Sequence, residues 1–341
     1  MNSTLARFLF ILAAAVVCGC TSRPTGPEVV VYVALDAEFS EPVFTEFTRD
    51  TGIKVLPKFD TESTKTIGLY SAIVQEADRP RCDVFWNNEI LNTLRLDKRG
   101  LLAEYATKAD DGLPAMYRSP NSTWHAFAAR ARVLIVNTEV TKDEKSPLSI
   151  RDLADARWRG RAGIAKPLFG TTATHAACLF ARWGADDAER FFLAIKDNHV
   201  HVMAGNKQVA LAVGSGQLAF GLTDTDDAIA EVDKAMPVAI IYPDQGADEM
   251  GTLFIPNTVS IIKGSPHEAA ARRLVDNVLS PKVEAHLALG ASAQIPLSTN
   301  ADVRSRLNVP AGVRQMDVDF EAAVEMWDTA AKFLRKEFTG P

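Results

Sequence analysis

From residue 28 onward, apolar positions along the chain recur in two alternating rhythms. Residues 29–35 (VVVYVAL) form a β-branched run of buried-strand length. In residues 41–51, Val43, Phe44 and Phe47 fall at helical spacing, and Gly52 is placed to stop that helix. The exchange repeats with a strand at 53–59, a helix at 63–77 and a short strand at 82–86 (CDVFW). Further strand candidates lie at 132–137 (RVLIVN), 161–165 and 218–222, with helices at 174–183, 185–198 and 208–213 among them. The last third adds a strand at 258–262, a helix at 267–279 and a terminal helix near 320–337. Strand and helix in turn predict an α/β fold, with mostly parallel sheets covered by helices on both faces.

The first residues follow another pattern. One positive charge, Arg7, precedes an unbroken apolar stretch at 8–17, which is signal-peptide length and about half of what a membrane span needs. The stretch ends Val17-Cys18-Gly19-Cys20, which resembles a bacterial lipobox with Cys20 as the lipid acceptor. Residues 21–27 (TSRPTGP) then have the composition of a flexible tether. A cleaved signal (1–19) and a lipid-anchored Cys20 with tether (20–27) are therefore expected, with the lipid as the one membrane contact.

Composition narrows the function classes. The 341 residues are 47% hydrophobic and 23% charged, as in ordinary globular proteins, and are enough for two cores. Net charge is −6, and this mild acidic excess argues against nucleic acid or an anionic membrane surface as partner. Beyond Cys18 and Cys20, only Cys82 and Cys178 remain, which makes no disulfide framework and no metal motif; both are expected as buried thiols. No G-x-S-x-G elbow or H-E-x-x-H motif is present. Gly214-Ser215-Gly216-Gln217-Leu218-Ala219 fits a loose dinucleotide pattern, but between a helix and a strand, the reverse of the required context. His199 and His201 make at best a weak metal pair.

The order of these elements resembles the ferric-iron type of periplasmic solute-binding protein, over about residues 29–299. The residues that carry the likeness are Asp36-Ala37-Glu38 after the first strand, "TGIKV" (51–55), "DVFW" (83–86) and "RARVLIVN" (130–137). They continue with "LADARWRGRAGIAKP" (153–167), "GNKQVALAVGSGQLAFGLTD" (205–224) and "SPHEAAARRLVDNVLSPKVEAHLA" (265–288). The resemblance implies a two-lobed type II periplasmic binding fold, with sheets joined by crossover hinge strands. Lobe one is expected at 28–128 plus 253–300, and lobe two at 129–252 plus 301–341, with the C-terminal helices packed back on lobe two. It implies a monomeric, non-enzymatic substrate-binding component of an ABC importer on the periplasmic side, serving permease and ATPase subunits. A sensory binding module of the envelope is the alternative of another class.

The ligand is less uniform in its signals. Ferric members of the family use adjacent tyrosines after the strand that corresponds to 218–222, and an early histidine. Here the stretch reads Thr223-Asp224-Thr225-Asp226-Asp227, the first loop offers Asp36 and Glu38, and Asn87-Asn88-Glu89 follows DVFW. An acidic run after a buried strand is most often a solvated loop, yet this one should open on the cleft, where carboxylates suit a hard cation or an ammonium. Gly170-Thr171-Thr172, just before the helix at 174, offers N–H groups and hydroxyls to an anion, or simply a cap. Asn206 matches a family asparagine, Arg130 could reach the cleft or make a hinge salt bridge, Thr64 could face the ligand or cap a helix, and Trp86 could stack or fill core. The expected ligand-binding set is Glu38, Thr64, Asn88, Arg130, Thr171, Thr172, Asn206, Asp224 and Asp226. Glu38, Asp226 and Asp227 are the candidate metal ligands. No resident cofactor is expected. Ferric iron with a synergistic anion is the first expectation for the transported ligand, and a small organic anion or zwitterion, such as a phosphonate or sugar phosphate, is the second.

Overall fold

The computed structural model describes residues 26–60, 66–297 and 304–339. The signal (1–19), Cys20, most of the tether and Thr64 lie outside the described residues.

The chain opens with β1 (Glu28–Val33), α1 (Ala37–Thr51), β2 (Lys54–Phe59), α2 (Ile67–Gln75), β3 (Val84–Asn87) and α3 (Leu91–Lys98). It continues through β4 (His125–Asn137), β5 (Ala162–Ala165), α4 (Gly170–Trp183), α5 (Ala185–Asp197) and β6 (His201–Met203). Then come α6 (Asn206–Gly214), β7 (Phe220–Asp224), α7 (Thr225–Asp233) and β8 (Val238–Ile241). It returns along β9 (Phe254–Ile261) and ends with α8 (Glu268–Val278), α9 (Pro281–Leu289) and α10 (Phe320–Phe338).

The strands join in the order β2-β1-β3-β9-β4-β7-β5-β6, with β8 paired to β4. Within each half, β1 pairs in parallel with β2 and β3, and β5 with β6 and β7. The pairs made by β4 and β9 are antiparallel, so these two long strands are the crossovers that join one half to the other. β4 begins well before the run read as its start at residue 132. Its first part (HAFAARA) is rich in alanine rather than β-branched residues, so local propensity hides a strand that pairing with β9 enforces.

Alternation along the strands explains where the core sits. Val29, Val31 and Val33 pack on one face of β1 with Val84 and Trp86, while Tyr32 packs on the other with Phe85. In β4, Leu134 and Val136 face Leu179 and Phe180 of α4, and Val133 and Ile135 face the opposite cluster. The same period of two puts Arg130 and Arg132 on the α4 side, at the end of that face nearest the first half. Trp86 is core: fully buried, it lies between Phe44 and Phe127, with ring centroids 5.7 and 5.3 Å away.

Four local readings change. α1 starts at Ala37, a turn earlier than read, with Pro42 inside it. α4 starts at Gly170, whose φ of +54° suits glycine, so Thr171 and Thr172 lie in its first turn rather than before it. The acidic stretch after β7 is the start of α7 and not a loop, because Asp226 and Asp227 favour a first turn and Ala228 and Ile229 give it a buried face. α10 packs on both halves: Lys98 of α3 pairs with Glu321 (3.2 Å), and Phe333 meets Phe180 of α4 at 6.0 Å between ring centroids. Cys82 and Cys178 are buried and unbonded to each other, and burial pushes both thiols up. Among the described residues, no helix is long and apolar enough to cross a membrane.

Candidate functional site

The C-terminal ends of the parallel strands of both halves converge on one cleft, which is where open α/β sheets place ligands. β1 runs out into Leu35 and Asp36, β3 into Asn88, β5 into Lys166, and β7 ends on Asp224. With Arg130, the first turn of α4, the start of α6, Asp226 and Asp227, these residues line a cavity with about 50 Å³ of free space. That is room for a few water molecules, the scale of a small ion or the head of a small solute.

The second-half wall is a network built around Arg132, a residue the sequence reading did not single out. Its guanidinium is fully buried and donates to Asp224 Oδ1 (2.6 Å), Asn206 Oδ1 (3.1 Å), Thr171 Oγ1 (3.3 Å) and Thr172 Oγ1 (3.2 Å). Asp224 Oδ2 accepts from Thr171 Oγ1 (2.6 Å) and Asn206 Nδ2 (3.0 Å). Burial alone would raise the Asp224 pKa. The Arg132 and Arg130 charges and the Thr171 donation outweigh it and hold Asp224 below the usual carboxylate range. Behind this wall His175 is buried, and desolvation together with the Arg132 charge pushes its pKa down to about 3.

α4 carries no side-chain cap: its N-cap is Phe169, and the hydroxyls of Thr171 and Thr172 are engaged as described. The N-terminal turn therefore presents main-chain N–H groups and the positive end of the helix dipole beside the cavity. Lys166 and Lys207 add positive charge to the lining.

Arg130 reaches across. Its Nη1 stands 3.3 Å from Asp226 Oδ2 and 3.5 Å from Asp224 Oδ2, while Nη2 donates to the Asn88 carbonyl on the first half. Burial disfavours its charge, but Asp226, Asp224, Asp227 and Asp36 together hold it firmly protonated. It is thus both the salt bridge and the cleft residue that the sequence left as alternatives. Asp224, Asp226 and Asp227 each bring one carboxylate oxygen within 4.8 Å of the others, a cluster of hard oxygen donors.

Of the sequence candidates, the structure brings Asn88, Arg130, Thr171, Thr172, Asn206, Asp224, Asp226 and Asp227 to the cleft lining. Glu38 is not among them. Because α1 begins at Ala37, its side chain turns out to solvent, 60% exposed, and lies 3.8 Å from Lys207 of the facing half. Glu89 is fully buried and takes the N–H groups of Leu91 (2.6 Å) and Asn92 (3.0 Å) and the hydroxyl of Thr174 in α4 (2.8 Å), so it serves the start of α3 and ties it to α4. His199 pairs with Arg159 (2.8 Å) and His201 with the Gly160 carbonyl (3.1 Å), and so the two do not converge on a metal. Among the described residues no tyrosine lines the cleft.

The sequence pattern that defines the bacterial extracellular solute-binding proteins matches residues 93–323. The chain belongs to that family. Iron uptake protein A1 of Synechocystis is 23% identical to this solute-binding protein over 300 residues, 82% of this chain and 81% of the relative. A putative 2-aminoethylphosphonate-binding periplasmic protein of Salmonella typhi is 23% identical over 284 residues, 80% of each chain. In structure, the chain is similar to iron-bound HitA from Pseudomonas aeruginosa, with a TM-score of 0.81 and 22% identity over 91% of this chain and 99% of HitA. At that identity the likeness is one of fold: the two-lobed binding-protein architecture.

Proposed function

We propose that this chain is the substrate-binding component of an ABC importer and not an enzyme. It takes a small solute between its two halves and delivers it to a membrane permease and its ATPase. The observation that carries this reading is the cleft itself. Residues from both halves surround one small polar cavity, and the uncapped start of α4, Arg130, Lys166 and Lys207 are poised for an anionic group. A ligand that touches both walls stabilises the closed arrangement, so binding and closure about β4 and β9 are one event that a permease can read. The lobes divide at 28–128 plus 253–300 and 129–252 plus 301–341, and a lipid on Cys20 keeps the protein at the periplasmic side of the envelope. Cys20→Ser should then release it to the soluble fraction.

Two readings of the cargo have separate support. Ferric iron with a synergistic anion is supported by the Synechocystis relative's name, by the iron in HitA and by the carboxylate cluster at the junction of β7 and α7. A small organic anion or zwitterion, such as a phosphonate or sugar phosphate, is favoured by the guanidinium already among those carboxylates and by the lack of tyrosine among the described lining residues. Thermal unfolding against ferric ion with bicarbonate or citrate, 2-aminoethylphosphonate and sugar phosphates separates them. A true ligand at a hundredfold over its dissociation constant adds about 2.7 kcal/mol of stability. A shift with iron alone retires the organic anion, and a shift with an organic anion alone, lost in Arg130→Ala, retires iron. No shift with any member of the panel counts against the importer reading.

A further inference from the structure

The oxygens of Asp224, Asp226 and Asp227 lie within 4.8 Å of one another, close enough to share a hard cation. A cation already stands there: Arg130 Nη1 is 3.3 Å from Asp226 and 3.5 Å from Asp224. Two further observations mark this as more than a structural ion pair. Arg130 Nε is buried without a hydrogen-bond partner, and so is Asn88 Oδ1 on the opposite wall. Both residues line the cavity while only 4% and 2% exposed. A donor and an acceptor left unmet on facing walls of a cleft are where a ligand makes up the missing bonds.

We infer that Arg130 is the specificity-determining residue of the cleft: its guanidinium takes the place of a metal ion among the three carboxylates and sets how strongly the cleft accepts one. A multivalent cation entering the wild-type site must displace a like charge from a poorly solvated position, where that repulsion is only weakly screened. With a neutral side chain at 130, the cluster loses the positive charge that stands against Asp226 and Asp224, and Asp224 remains oriented by Arg132. The cost of gathering carboxylates is then offset by the incoming ion. Specificity arises here through a repulsive element as well as through attraction. The inference rests on the cleft being the binding site and refines what the cleft selects.

Terbium(III) chloride serves as a hard trivalent probe, titrated by luminescence into the full chain in buffer free of phosphate and carboxylates. Arg130→Gln should bind terbium at least tenfold more tightly than the wild type, and adding Asp226→Asn should remove the gain. Equal or weaker binding by Arg130→Gln, or a gain that survives Asp226→Asn, overturns the inference. Should Arg130→Gln fail to fold, Arg130→Met removes the charge while filling the buried space with an apolar chain. Tighter terbium binding than wild type then supports the inference, and no gain overturns it. Solute binding by the wild type is read in parallel. A terbium gain beside a wild type that binds no solute sinks the importer reading alone, whereas solute binding with no terbium gain sinks this inference alone.

Discussion

On the α4 side of the cleft, Asp224 has both carboxylate oxygens taken by Arg132, Thr171 and Asn206, whereas on the β3 side Asn88 leaves Oδ1 without a partner. The first wall turns most of its polarity on itself, with the Nε donors of Arg130 and Arg132 left without a hydrogen-bond partner. Its residues hold one another in place, and what it offers a ligand is mostly geometry, main-chain N–H groups and the charge of Arg130. The second wall is sparser and keeps an unmet acceptor at the point where the halves meet. A wall whose buried carboxylate is already satisfied can be present before ligand arrives, so the affinity still to be gained lies in groups that the fold leaves unpaired. The difference separates residues that support the site from those that touch its occupant, which sequence alone does not do.

The sharpest way to break the comparison is Arg132→Met. It removes the guanidinium that contacts Asp224 Oδ1 and leaves this buried carboxylate with only the more distant Arg130 charge, 3.5 Å away, which should cost toward the lower end of about 3–5 kcal/mol in urea unfolding. A loss under about 1 kcal/mol would mean that the wall is open to water and not self-supporting.

The pH dependence tests the same wall from behind. His175 is held neutral when folded, with its pKa pushed down to about 3 by burial and by Arg132, while the unfolded chain takes up its proton near the ordinary 6.5. Its contribution is complete above about pH 6.5 and is lost as pH falls toward 3, at up to about 1.4 kcal/mol per pH unit. His175→Gln should flatten the stability profile in that window. An unchanged slope would place water beside the ring.

A smaller effect should separate support from contact. Asn88→Leu removes an unmet polar group, so unfolding free energy should stay within about 1 kcal/mol of wild type. Solute affinity should nevertheless fall at least tenfold. Equal affinity would assign Asn88 to the scaffold. The smallest effect belongs to Glu38→Gln, because a solvent-exposed pair with Lys207 is screened by salt. Affinity at physiological ionic strength should change less than twofold, and a larger loss would restore Glu38 to the site.

Much of the fold was legible because β-branched strands and amphipathic helices advertise themselves. Residues 29–35 and 185–198 needed little more than their periodicity. The first part of β4 was hidden by alanines, and β8 by its shortness and half-burial; both are strands because a neighbouring strand holds them. The site was legible by position, since residues after strand ends gather where the sheet opens. Its internal division was not. Arg130 and Arg132 are two apart on one strand and so share a face, a period-two signal that was available for Arg132. Which of the two is locked in and which reaches the cavity depends on partners 92 residues away, at Asp224, and 42 residues away, at Asn88. Glu38 was misplaced for a local reason: a helix that starts four residues earlier turns that side chain outward.

The most direct measurement is a crystal structure of the protein with the solute that gives the largest shift in the ligand panel. The expected result is an anionic group at the first turn of α4 within hydrogen-bond distance of Arg130, and a donor group of the same solute on Asn88 Oδ1, while the Arg132–Asp224 network keeps its present bonds. A solute bound outside the cleft, or one that enters it only by dismantling the Arg132–Asp224 pair, would contradict the division into a supporting wall and a ligand-facing wall.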